Sequence, residues 1–260
     1  VTYNLTKKAR QNDIGVIGMR PLGGSGRMTT LRTIKDRNPL FDSISPSHLL
    51  EFVLSNTNIA VSIVGSRYPD RVKSNISTAL DYNRFNINAM QVMITAFRKL
   101  GEVSSAKEWI NTLLSIDPLN HFANLEAYYL NSSKYSWDAY NSLITNEYSD
   151  QTHLEIAISY FNRGLDDDAI KVLERTSNNN PINYLWLAYL TKDESIINKV
   201  ELLSPEFVFP FRRETLEILN WSILNNDDWK LKYYLALNYW AKDRDEEALI
   251  LMEALKDIPN

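Results

Sequence analysis

One set of intervals governs the last two-thirds of this chain. Phe97, Gly101, Ala106, Ile110 and Pro118 are spaced as Tyr160, Gly164, Ala169, Leu173 and Pro181 are. Ala236, Tyr239, Ala248 and Met252 make a looser third set, with its proline one residue early. Apolar residues around each set recur at helical intervals, and the glycines fall where one helix must stop and another begin. The alanines let two helices approach closely, and the large residues fill the space between neighbours. A helix–turn–helix unit cannot bury its apolar face alone, so such units must stack. The spacing predicts antiparallel helix pairs over residues 81–260, with 121–149 and 182–230 helical but off the pattern.

The first 80 residues are of another kind. Six of the eight glycines lie there, and all six tryptophans lie beyond. Residues 1–80 carry 11 Lys+Arg against 5 Asp+Glu, whereas residues 81–260 carry 17 against 27. A change in glycine, tryptophan and charge at one place divides the chain into segments 1–80 and 81–260.

In the front segment, Ile14–Met19 and Ile59–Val64 are short apolar runs that predict buried strands. Each ends in glycine or a glycine-rich turn. Ser45-Pro46 predicts a helix start, because serine can cap free amides and proline suits the first helical position. Pro69 opens a second helix, with Val72, Ile76 and Leu80 on one face. Strand, helix, strand, helix implies parallel strands joined by crossovers.

These residues carry resemblances. Gly15-Val-Ile-Gly-Met-Arg-Pro-Leu-Gly-Gly24, with Val61-Ser-Ile-Val-Gly-Ser-Arg-Tyr-Pro-Asp-Arg71, resembles the last two βα units of an aldo-keto reductase, an NADPH-dependent (β/α)8 barrel. The resemblance implies that Arg20, Leu22 and Gly23 meet a cofactor pyrophosphate. It implies that Ser66, Arg67 and Arg71 meet the 2′-phosphate, and that Asn75 meets the adenine. Ser74 stands where that family usually has glutamate. No segment corresponds to the catalytic half of the barrel, so no catalytic residue is assigned. The intervals at 97–118 and 156–181 resemble the tetratricopeptide repeat. Ala79–Ala89, Asp117–Ala123 and Phe207–Thr215 resemble the repeat region of an uncharacterised bacterial family that carries a mutarotase-like β-sandwich. The expected fold is mainly α, a tetratricopeptide-like α-solenoid preceded by two βα units of an incomplete barrel. Two partial families meeting near residue 80 imply a fusion, a recombined gene or a join.

The candidate chemistry is sparse. His48, His121 and His153 are far apart in sequence and have no helical i, i+4 partner, so no metal site is expected. The runs Asp166–Asp168 and Asp243–Glu247 sit where helices begin, which favours carboxylates without any metal. His121, Arg212 and Arg213 are the candidate groove contacts, the two arginines following Phe207-Val-Phe-Pro-Phe211. The inner-helix positions Gln91, Thr95, Leu154 and Ile158 supply no clamp for a carboxylate. The many tyrosines and tryptophans keep carbohydrate contact open. The expected role is a scaffold that binds a protein or peptide, joined to a catalytically incomplete NADP-binding segment. The alternative is an aldo-keto reductase whose catalytic half lies outside this chain. Mild acidity gives no reason to expect nucleic acid. No apolar run of about eighteen residues exists to cross a membrane. The lack of cysteine fits the reducing cytoplasm.

Overall fold

The computed structural model describes residues 2–19, 21–22, 42–64, 69–131, 136–145, 148–176 and 180–258. Two compact units divide it, Val1–Tyr140 and Asn141–Asn260. Residues 1–80 thus fall in the same unit as the helices that follow them.

The first unit begins with α1 (Thr2–Gln11), an element for which the sequence carries no strong periodic signal. Strand β1 (Ile17–Met19) runs parallel to β2 (Val61–Ile63), with Ile17 opposite Val61 and Met19 opposite Ile63. Helix α2 (Pro46–Leu54) forms the crossover's helical part. Its start is a capping box. The Ser45 hydroxyl accepts from the His48 amide at 3.3 Å, and His48 Nδ1 accepts from the Ser45 amide at 3.1 Å. His48 is therefore tied to the cap. The strands correct the expectation in two ways. They are three residues long rather than six, and Ile17 and Met19 are exposed rather than buried. A parallel strand is buried when neighbours flank it and helices cover both faces. Among the described residues each of these strands has one neighbour.

Helix α3 (Pro69–Tyr82) joins this segment to the repeat helices. Leu80 shares a core with Met90, Ile94 and Phe97 of α4 (Ile87–Lys99) and with Ala106 and Leu113 of α5 (Val103–Ile116). Lys73 of α3 ion-pairs with Glu102 and lies 4.7 Å above the Phe97 ring. Phe85, apolar and close to the join, is nevertheless exposed. Ala123 of α6 (His121–Leu130) enters the same core, and α7 (Trp137–Asn141) sets Trp137 edge-on to Tyr128 at 5.8 Å.

The second unit runs α8 (Ser149–Phe161), α9 (Asp166–Leu173), α10 (Pro181–Thr191), a 3-10 turn (Glu194–Ile196), α11 (Ile197–Glu201), α12 (Thr215–Asn225), α13 (Trp229–Trp240) and α14 (Asp245–Leu255). Tyr160, Trp186, Leu185, Ile218, Leu231 and Tyr234 are fully buried within it. Asp166–Asp168 open α9 and Asp245–Glu247 open α14, so both carboxylate runs lie at positive helix ends.

The turns show why the sequence repeats. Gly101 and Gly164 both hold left-handed backbone, with φ 74° and 69°. In each turn the next amide reaches back five residues: Glu102 to the Phe97 carbonyl at 2.9 Å, and Leu165 to the Tyr160 carbonyl at 3.1 Å. Asp243, with φ 57°, makes the third such turn, Arg244 donating to the Tyr239 carbonyl at 3.0 Å. A fourth lies where the sequence is off the pattern. Lys192 takes φ 56°, and Asp193 donates to the Ala188 carbonyl at 3.1 Å. Five residues past each left-handed position stands a buried residue: Ala106, Ala169, Ile197 and Ala248. The α10–α11 pair was hidden because lysine replaces glycine and isoleucine replaces alanine.

Candidate protein-docking site

The segment between α11 and α12 is extended and apolar, and it alternates. Phe207, Phe209 and Phe211 are 77%, 62% and 49% exposed, whereas Val208 and Pro210 are buried. A period of two is the signature of an extended chain with one face inward. Here the outward face carries three phenylalanines. Phe207 also holds left-handed backbone, φ 60°, which is costly for a bulky residue.

Three side chains hold the segment in place. Asn238 of α13 is fully buried and donates to the carbonyls of Pro210 at 2.5 Å and Arg212 at 2.9 Å. Lys230, near the start of α13, donates to the carbonyls of Glu201 at 2.5 Å and Leu203 at 2.8 Å. Arg212 donates to Gln151 Oε1 at 2.7 Å and ion-pairs with Glu155, both on α8. Its guanidinium also lies 4.5 Å from the Phe211 ring centre. The Phe211 amide donates to the Phe209 carbonyl at 3.0 Å, which tightens the chain around Pro210.

These ties leave a cavity of about 240 Å³ lined by Phe209, Pro210, Phe211, Leu237, Trp240 and Ala241. The wall is apolar throughout. Trp240 is 65% exposed, so the indole borders the opening instead of packing into the core. Such a volume lies below the roughly 300–1,000 Å³ of small-molecule clefts and suits an inserted side chain. Aromatic anchors around a pocket are the usual centre of protein–protein contacts.

Sequence reasoning marked Arg212 and Arg213 and missed their neighbours. Arg212 is committed to α8, Arg213 is exposed, and the aromatic residues beside them form the cavity. The missed signal was the alternation Phe-Val-Phe-Pro-Phe, which places three rings on one side. Trp240 had no local signal, because its exposure depends on what covers it. His121 belongs to the first unit, where it begins α6. Thr95 donates to the Gln91 carbonyl at 2.8 Å, and Leu154 and Ile158 are buried. Beside Thr95, Arg98 of α4 pairs with fully buried Glu126 of α6, with Arg98 Nη2 donating at 3.0 Å. The neighbouring helices are thus tied by charges that satisfy each other.

Among the reductase-like positions, Leu22 is half-buried, and α3 carries exposed Arg71 and half-buried Asn75. Arg20, Gly23, Ser66 and Arg67 lie outside the described residues, as does most of the glycine-rich turn. Among the described residues no cluster of histidine or carboxylate side chains is arranged to hold a metal. Nor is any helix there long and apolar enough to cross a membrane.

No family model matches the chain, and no curated protein matches it. Solved structures do. YrrB, a TPR protein with an unusual peptide-binding site, is similar at 13% identity over 71% of this chain and 93% of its own, with a TM-score of 0.25. A thermophilic TPR protein of Thermus thermophilus is similar at 19% identity over 74% of this chain and 85% of its own, with a TM-score of 0.21. The chain's own turns and buried small residues make it mainly α, built of tetratricopeptide-like helix pairs.

Proposed function

We propose that this chain is a helical-repeat scaffold whose business is to bind another protein. The observation that carries this reading is the open aromatic cavity of Phe209, Phe211 and Trp240, held in shape by buried Asn238. Leaving large aromatic side chains in water forgoes roughly 1.5–3 kcal/mol each. Contiguous exposed apolar surface of this kind marks docking sites. The experiment is photo-crosslinking in the cells that make the protein, with benzoyl-phenylalanine at position 209 or at exposed position 224. A discrete crosslinked protein from 209 and none from 224 is expected. No product from 209, or equal products from both, contradicts the reading.

A second reading concerns residues 1–80. The parallel pairing of β1 with β2 around α2 favours a βα segment related to the end of a reductase barrel, with NADP(H) as its ligand. Arg20, Leu22, Gly23, Ser66, Arg67, Arg71 and Asn75 would contact the cofactor. NADPH fluorescence titration tests it. Saturable enhancement lost in Arg71→Ala supports cofactor contact, and an unchanged signal rejects it.

A further inference from the structure

One place in the helix pairs is covered by the next helix wherever the chain supplies one. It is the residue just after the carbonyl that accepts the five-residue turn bond. In α4 it is Arg98, which meets Glu126 and Tyr129 of α6, the Tyr129 ring centre lying 5.4 Å from the guanidinium. In α8 it is Phe161, which meets Trp186 of α10 edge-on at 5.2 Å and 82°. In α10 it is Tyr189, which meets Trp221 of α12 edge-on at 5.6 Å and 84°. Three helices therefore cover this place, each with an aromatic ring. In α13 the residue is Trp240, which is 65% exposed and borders the apolar cavity.

We propose that the Trp240 cavity receives an amphipathic α-helix of a partner protein, which sets an aromatic side chain edge-on against the Trp240 indole. The occupant is inferred by continuity with the packing inside the chain, where α10 and α12 do the same for Phe161 and Tyr189. Edge-on ring pairs are favourable beyond the area they bury, and a helix laid in an apolar groove is a common mode of recognition. The cavity supplies the apolar wall, with Phe209 and Phe211 opposite α13. This inference rests on the reading of the chain as a protein-docking module.

The probe is a fluorescein-labelled peptide copying residues 213–227, which include α12 and its Trp221, held helical by an i, i+4 lactam bridge. Its anisotropy is followed as the full chain is added. Saturable binding with Kd on the order of 10–100 μM is expected. Trp240→Ala in the protein, Trp221→Ala in the peptide, or a proline in mid-peptide should each weaken it tenfold or more. Far-UV circular dichroism checks that Trp240→Ala stays folded, and Phe209→Ser serves as a second variant. Equal binding by the proline peptide would overturn the inference in favour of an extended occupant. Self-association of the chain that Trp240→Ala abolishes would overturn it in favour of a second copy. Binding indifferent to both protein variants, or none up to about 1 mM, also overturns it. A crosslink from position 209 in that last case would leave the docking function standing and remove the helix alone.

Discussion

Asp243 holds the same backbone conformation as Gly164. Their φ angles are 57° and 69°, and each precedes an amide that donates five residues back to a tyrosine carbonyl, Tyr239 and Tyr160. One turn is thus built by a glycine and by a residue that pays about 1 kcal/mol or more for the left-handed region. Asp243→Gly should stabilise the fold by about 0.5–1 kcal/mol. Gly164→Ala should destabilise it by about 1–2 kcal/mol, although an added Cβ meets nothing within 4 Å. Urea unfolding of the two variants checks both signs.

The Arg98–Glu126 pair is placed to be asymmetric under mutation. Glu126 is fully buried, and Arg98 is its ionic partner from the neighbouring helix. Arg98→Met leaves a buried carboxylate short of that partner and should cost about 3–5 kcal/mol. Arg98→Met with Glu126→Leu should recover most of that loss, because an apolar pair needs no compensation. A double-mutant cycle by denaturant unfolding measures it.

Asn238 shapes the cavity without lining it. Asn238→Ala removes the donors to Pro210 and Arg212 and should cost about 1–3 kcal/mol. It should also free the phenylalanine segment, so amide exchange at residues 207–212 should quicken more than at α13. Equal quickening in both would mean that Asn238 only stabilises the helix.

Tyr189 gives the fold an alkaline limit. Its hydroxyl donates to Glu217 at 2.6 Å, and this bond, with burial second, raises the phenol's pKa from 10.0 to about 12. A phenol raised on folding contributes its full stability below the unfolded value. That contribution is lost as pH climbs towards the folded value. Tyr189→Phe should therefore be about 0.5–1 kcal/mol less stable than the parent near pH 8, a modest figure because the pair is solvent-accessible. The difference should vanish by about pH 12. Unfolding measured over that range checks the direction.

Much of the helix-pair fold was legible because it depends on local rules. A left-handed turn favours glycine, and a close helix approach favours alanine, so Gly101, Ala106, Gly164 and Ala169 announce themselves. The α10–α11 pair did not, since Lys192 and Ile197 meet the same demands at greater cost or with different packing. The strands were read too long and too buried, because burial of Ile17 depends on neighbours that a local pattern does not encode. The site was half legible. Arg212 was visible as a charge beside aromatics, but its partner Glu155 lies 57 residues away. Trp240 reads like any helical tryptophan until the covering helix is sought and found missing at that one place.

The central claim is that Phe209 and Trp240 are kept for docking and not for stability. Urea unfolding of the double variant Phe209→Ser, Trp240→Ser tests it most directly. Both side chains are largely exposed, so the variant should unfold within about 1 kcal/mol of the parent. A loss above about 3 kcal/mol would show that these rings are core, and would contradict the account.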